Sequence, residues 1–240
     1  MQSDRTDDRS KISKTVLSVG VDESPPAPLC FGLPGSLNFR GFEVDLMTAI
    51  ASKLVVSLKW RSALWSTIFA ELESGRLDMI CTAATITEER RQRVDFSDPY
   101  LETELALIVR KDSPIRSVDD LTDRTVGVRI ATVAEAFVRG RCPPGTVETF
   151  DLNVDAYQAL RDRQVDAVID DRPIGTYFAH AVEGLCAAPR LAGTELQYGI
   201  VFAKGNDRLR QVVNQALAEL RTDGIWERLH RQWFQDGDVH

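Results

Sequence analysis

The chain has 240 residues, 43% of them hydrophobic, enough to bury the core of one large domain or of two modest lobes. Its formal net charge of −7 arises from 36 acidic and 29 basic residues that are interspersed rather than gathered into a stripe, which excludes the phosphate footprint of a nucleic-acid binder. No apolar stretch approaches the ~18 residues of a membrane span, and residues 1–14 are polar without a secretory apolar core, so the chain reads as soluble with a disordered lead over 1–14.

In chain order, short β-type runs alternate with helical periodicity, the pattern of α/β layering around mostly parallel sheets. Residues 16–21 are predicted to form the first strand. Val44, Met47, Ala51 and Leu54 then recur at helical spacing, and Trp65, Ile68, Phe69 and Leu72 share one face of a second helix that stops at Gly75. Residues 77–82 and 104–110 read as strands, the second closed by turn chemistry in Lys111-Asp112-Ser113-Pro114. A comparable set follows. It comprises a strand over 125–130, a helix opened by a capping box of Thr132 and Glu135, and a helix capped by Asn153 that carries Tyr157 and Leu160. A strand over 165–170 and a helix with Pro173 in its first turn complete it. The last predicted strand is 197–203. Leu209, Val212, Val213, Ala216, Leu217 and Leu220 then mark a long amphipathic helix, ahead of a tail bearing Trp226, Trp233 and Phe234. A faint repeat relates residues 76–80 to 164–168, each run following a helix.

Enzymatic chemistry is poorly supplied. GxSxG, HExxH, GxGxxG and GxxxxGK are all absent, and the three histidines are His180, His230 and His240. His180 reads as a helix-surface residue. Cys30, Cys81, Cys142 and Cys186 lack metal-ligand spacing, so neither a metal nor a cofactor is expected. Cys81 reads as a buried thiol, and Cys142 with Cys186 is a candidate bridge in an oxidising compartment.

Polar residues fall instead where strands end and helices begin, the place where open α/β sheets bind ligands. Arg90, five residues after Thr85, offers a guanidinium fork for a carboxylate. Thr132 opens a helix whose free N–H groups suit the same anion. Asp171 and Asp22, each at a strand end, are candidate acceptors for an ammonium, and Trp65 is a candidate stacking face. Singly, each has a plain structural alternative: Arg90 a solvated arginine beside Arg91 and Arg93, Trp65 a core aromatic, Thr132 and Asp171 helix caps, Asp22 a loop residue.

The run Gly41-Phe42-Glu43-Val44-Asp45-Leu46 resembles the signature of the polar amino-acid family of bacterial extracellular solute-binding proteins. The similarity continues through Glu71-Leu72-Glu73-Ser74-Gly75-Arg76-Leu77-Asp78, Thr85-Ile86-Thr87-Glu88-Glu89-Arg90, Val94-Asp95-Phe96-Ser97-Asp98-Pro99-Tyr100 and the closing Trp233-Phe234. It covers residues 15 to 234. The resemblance implies a type II periplasmic-binding-protein fold, two Rossmann-like α/β lobes joined by a two-strand hinge that closes on a ligand. It places lobe 1 at 15–108 and 200–240, lobe 2 at 109–199, and the hinge near 107–111 and 196–201.

Carried over by position, the resemblance assigns Arg90 and Thr85 to a ligand carboxylate, Ala83 and Asp171 to its ammonium, Thr132 to the N–H-donating loop and Trp65 to an aromatic cover. Arg129 and Asp170 stand where relatives read ligand side chains. Arg129 favours a carboxylate or amide, whereas Asp22, Glu23 and Asp170 favour a cation; the reading leans to glutamine or glutamate. Two departures bear on specificity: Ala131-Thr132-Val133 replaces a Gly-Thr-Thr stretch, and Ser24-Pro25-Pro26-Ala27-Pro28 replaces an aromatic shelf. The implied function is capture of a small amino-acid-like ligand, by a periplasmic or extracellular monomer, for the permease subunits of an ABC transporter. Alternatives on the same scaffold are a sensory domain of a receptor and a cyclohexadienyl dehydratase. Ile174 stands where the dehydratase's cleft acid would be, and it cannot move a proton.

Overall fold

A computed structural model describes residues 14–141 and 145–234. The lead expected over 1–14 lies outside the described residues as far as residue 13, and so does Cys142 of the candidate bridge. Two mixed sheets carry the fold.

The first sheet has the order β2 (Ser57–Ala63), β1 (Val16–Asp22), β3 (Met79–Ile80), β11 (Val201–Ala203), β4 (Val94–Phe96). β1 is parallel to β2 and β3, and β11 is antiparallel to both its neighbours. Helix α1 (Phe42–Leu54) packs with α7 (Asp207–Thr222) and α8 (Ile225–Trp233) over one face, burying Phe42, Leu46, Ile50, Val213 and Leu217 with Leu17 and Val19. Helix α2 (Trp65–Glu73) covers the other through Trp65, Ile68 and Leu72 against Ile80 and Val201. Each such large apolar side chain removed from water contributes about 1.5–3 kcal/mol before entropy is counted. The short α3 (Glu88–Arg91) leads into β4, with Thr87 Oγ1 accepting from the Arg90 N–H at 3.1 Å.

The second sheet runs β10 (Glu195–Tyr198), β5 (Leu101–Arg110), β8 (Ala167–Asp171), β6 (Val126–Arg129), β7 (Val147–Phe150), with β9 (Leu185–Ala187) also paired to β5. Strand alternation is visible directly in β5: Leu105, Leu107 and Val109 enter one core with Val128 and Val138 of α4 (Val133–Arg141), while Ala106 and Ile108 enter another with Tyr157 and Leu160 of α5 (Asn153–Arg161) and Ala179 of α6 (Arg172–Ala181). Sheets buried on both faces require such unbroken apolar runs.

The faint repeat has a physical basis. Asp78 Oδ2 accepts from the Ser18 N–H at 2.8 Å at the start of β1, and Asp166 Oδ2 accepts from the Thr125 N–H at 2.9 Å just ahead of β6. In each half one aspartate pins a neighbouring strand. Elsewhere the structure trims the predicted elements. Of 77–82 only Met79 and Ile80 pair as strand, because the chain turns at Ala83, whose φ is +49°. The strand expected over 197–203 splits into β10 and β11, with the Gly199 N–H turning aside to the Ala84 carbonyl at 3.1 Å. Asn153 does not cap α5: it is the first helical residue, after Leu152, and its side chain goes elsewhere.

The chain passes between the sheets twice, from β4 to β5 and from β10 to β11. β10 pairs antiparallel with β5 over Leu101 to Glu104, and from Leu105 onward β5 pairs with β8, so that Leu107 lies opposite Ile169 inside the second sheet.

Candidate functional site

The carboxyl ends of β1, β3, β6 and β8 converge on one cleft between the sheets. Its lining includes Asp22, Trp65, Ala83, Arg129, Thr132 and Asp171. Asp170 lines it too, along with Pro26, Thr82, Asn153 and Ile174, of which Pro26, Thr82 and Asn153 were not among the predicted site residues. Arg90 lies in an adjoining groove that shares Thr132 with the cleft, together with Glu89, Ala131 and Arg139. Thr85 is buried beneath Arg90, whose Nη1 donates to the Thr85 carbonyl at 2.9 Å.

Polar contacts cross from one side to the other near the cleft. Arg129 Nη1 pairs with Asp22 Oδ2 at 2.5 Å, Trp65 Nε1 donates to the Ala131 carbonyl at 3.0 Å, and Arg90 Nη2 reaches the same carbonyl at 3.3 Å. The Arg90 guanidinium also lies 5.0 Å from the Trp65 ring centroid, a cation–π pairing that orients both. Its remaining N–H groups are left for an anion. Burial lowers the Arg90 pKa, and Asp171 partly counters this.

Asp171 precedes α6, yet its side chain makes no capping bond; Oδ2 accepts instead from the Tyr198 hydroxyl at 2.5 Å. Its pKa is pushed up to about 7, first by burial and then by the adjacent Asp170. Tyr198 and Arg90 act in the opposite sense. Asp170 is fully occupied, taking Asn153 Nδ2 at 2.6 Å, the Tyr157 hydroxyl at 2.8 Å and the Asp171 N–H at 2.8 Å. Burial raises its pKa, and those three donors restrain the rise. Asp170 is therefore braced within its own side of the cleft.

Thr132 makes half of the expected capping box: its Oγ1 accepts from the Glu135 N–H at 3.3 Å and donates to the Arg129 carbonyl at 2.7 Å. The reciprocal bond shifts by one residue, with Glu135 Oε2 accepting from the Ala131 N–H at 2.7 Å. Ala131 takes φ of +59°. On the other side the Ala83 N–H donates to Glu43 Oε1 at 2.6 Å, and the Tyr100 hydroxyl donates to the same oxygen. Burial pushes Glu43 up to about 7. Sequence reading placed Glu43 only within a motif, because an acid in a first helical turn looks like a surface residue favoured by the helix dipole. Ile174 forms an apolar wall, and Glu23 is exposed.

Among the described residues no group of His, Cys, Asp and Glu is arranged to hold a metal. The cleft and its adjoining groove together present the Trp65 ring and the Arg90 guanidinium on one side and the buried Asp171 carboxylate on the other.

Known proteins are similar to this chain in sequence and fold. The L-cystine-binding protein TcyJ of Escherichia coli (strain K12) is 32% identical over 221 residues, 91% of this chain and 82% of that protein. A solved ancestral arginine-binding protein bound to glutamine superposes with a TM-score of 0.86 at 32% identity, over 93% of this chain and 99% of that one. The ancestral amino acid-binding protein AncCDT-1, a precursor of cyclohexadienyl dehydratase, gives a TM-score of 0.85 at 30% identity, over 92% and 96%. The model of one family matches residues 17–236, nearly the whole described chain, and by that match this protein belongs to the bacterial extracellular solute-binding proteins, family 3.

Proposed function

We propose that the cleft captures one free α-amino acid outside the cytoplasmic membrane and that the closed, liganded monomer delivers it to the permease subunits of an ABC transporter. In this reading the ligand carboxylate meets Arg90, with Thr85 and the Thr132 loop beside it, and the ligand ammonium meets Asp171 and the Ala83 carbonyl. Trp65 covers the ligand. The observation that carries the reading is the placement of opposite charges on the two sides: the Arg90 guanidinium, set over Trp65 in the groove that adjoins the cleft at Thr132, and the buried Asp171 carboxylate in the cleft lining. A zwitterion is the complement of that pair. Relatives named for cystine, and one bound to glutamine, support an amino-acid ligand. We take β10 with the first four residues of β5, rather than 107–111, as the hinge, because Leu107 is already locked in the second sheet.

Calorimetry on protein unfolded and refolded to strip carried-over ligand tests the assignment. Arg90→Ala is expected to weaken binding of the best amino acid by roughly 2–4 kcal/mol, because a buried carboxylate loses its partner. Unchanged affinity in that variant would place the ligand elsewhere.

A further inference from the structure

Asp22 and Arg129 are expected from sequence to favour opposite ligand side chains, one a cation and the other an anion or amide. In the structure each neutralises the other. Arg129 Nη1 lies 2.5 Å from Asp22 Oδ2, and the two side chains are only 8% and 2% exposed. Both are held from behind: Arg129 Nε donates to the Asp151 carbonyl at 3.0 Å, and Asp22 Oδ1 accepts from the Ser24 N–H at 3.0 Å. Both also line the cleft. A ligand charge that drew either partner away would leave the other buried and unpaired, which is the costly way to break such a pair.

Asn153 supplies an independent observation. It is 5% exposed and lines the same cleft. Its Nδ2 donates to the Asp170 carboxylate at 2.6 Å, which fixes the orientation of the amide, and its Oδ1 is buried with no hydrogen-bond partner among the described residues. A buried acceptor in that state calls for an N–H donor from whatever fills the cleft. Asp170 offers no free carboxylate to a cation, since Asn153, Tyr157 and the Asp171 N–H already hold it.

We propose that the Asp22–Arg129 pair is a charge filter, and that it restricts the ligand to an α-amino acid with a neutral, amide-class side chain whose N–H is accepted by Asn153 Oδ1. This rests on the amino-acid reading above. On this proposal the acid at Asp22, paired with Arg129, is not available to a ligand guanidinium.

The test is calorimetry of the stripped full chain with L-glutamine, L-asparagine, L-arginine, L-lysine, L-glutamate and L-leucine. Wild type is expected to bind an amide and to reject both cations and glutamate by on the order of 100-fold. Arg129→Gln frees the Asp22 charge and gains arginine or lysine binding; Asp22→Asn frees Arg129 and gains glutamate. Should either single variant misfold around its unpaired charge, Asp22→Asn/Arg129→Gln keeps the shape and removes both charges, and its discrimination between neutral and charged ligands is expected to collapse. Wild-type binding of arginine or lysine as tightly as an amide overturns the filter alone, as does a preference for leucine or a double variant that keeps the wild-type ranking. Binding of none of these six overturns the filter, and a lack of binding that extends to the other standard amino acids and cystine overturns the amino-acid reading with it.

Discussion

At Asp171 the side chain forgoes its capping role and lies buried beside a second carboxylate, and this sets how binding responds to pH. Its pKa near 7, like that of Glu43, stands well above the ~4 of an exposed carboxylate. A raised carboxylate stabilises the folded, ligand-free chain below the unfolded pKa, and that contribution is lost as pH rises through about 7. A ligand ammonium needs the ionised form. Affinity is therefore expected to tighten by up to about tenfold per pH unit between roughly pH 5 and 7 and then level off. Calorimetry across that range, repeated with Asp171→Asn, checks this: the variant should bind weakly and lose the slope. The positions of Thr132 and Asp171 at strand-to-helix junctions were legible in the sequence. The bond between Asp22 and Arg129 was not, because it joins residues 107 positions apart that meet only when two sheets face each other. Asn153 was misread for a related reason: Asn ahead of a periodic run signals a cap, yet the buried Asp170 offers its amide a better partner.

The elements that deliver these residues depend on backbone positions as much as on apolar faces. Gly41 precedes α1 with φ of +147°, and a Cβ there would lie 2.2 Å from the Leu29 carbonyl oxygen and 2.6 Å from Cys30 Cα. Both obstacles are backbone, which cannot rotate away. Gly41→Ala is expected to cost at least about 2 kcal/mol and to disturb Glu43 two residues on. Urea unfolding measures it, and a loss within about 0.5 kcal/mol would mean the turn relaxes freely. Long, strongly periodic elements such as α1, α2 and α7 were legible because a 3.6-residue apolar stripe has no other use. The short strands β2, β4, β7 and β9 escaped prediction, since a run of three to seven residues on a sheet margin gives too little alternation to separate it from loop.

For the whole molecule, the two sheets are linked by the paired strands β5 and β10, and the contacts between the two sides are both polar, Asp22 to Arg129, Trp65 to Ala131 and Arg90 to Ala131, and apolar, Phe31 against Tyr177 and Ile174 within the core of the first sheet. A ligand that touches both sides adds to these contacts the differential affinity that shifts the open and closed populations. The layered α/β class was legible from the alternation of elements, and the passage from β10 to β11 falls within the expected 196–201, whereas Leu107, expected at the first crossing, is already paired inside the second sheet because β5 continues unbroken from Leu101 to Arg110. The central claim is that this cleft holds an amino acid by Arg90 and Asp171. Thermal unfolding of the ligand-stripped chain against the standard amino acids addresses it most directly. A ligand at about 100 times its Kd adds about 2.7 kcal/mol to the folded state, so one amino acid is expected to raise Tm by roughly 5–10 °C. That rise should vanish in Arg90→Ala and in Asp171→Asn. An unmoved midpoint with every amino acid, or a rise that both variants keep, would contradict the account.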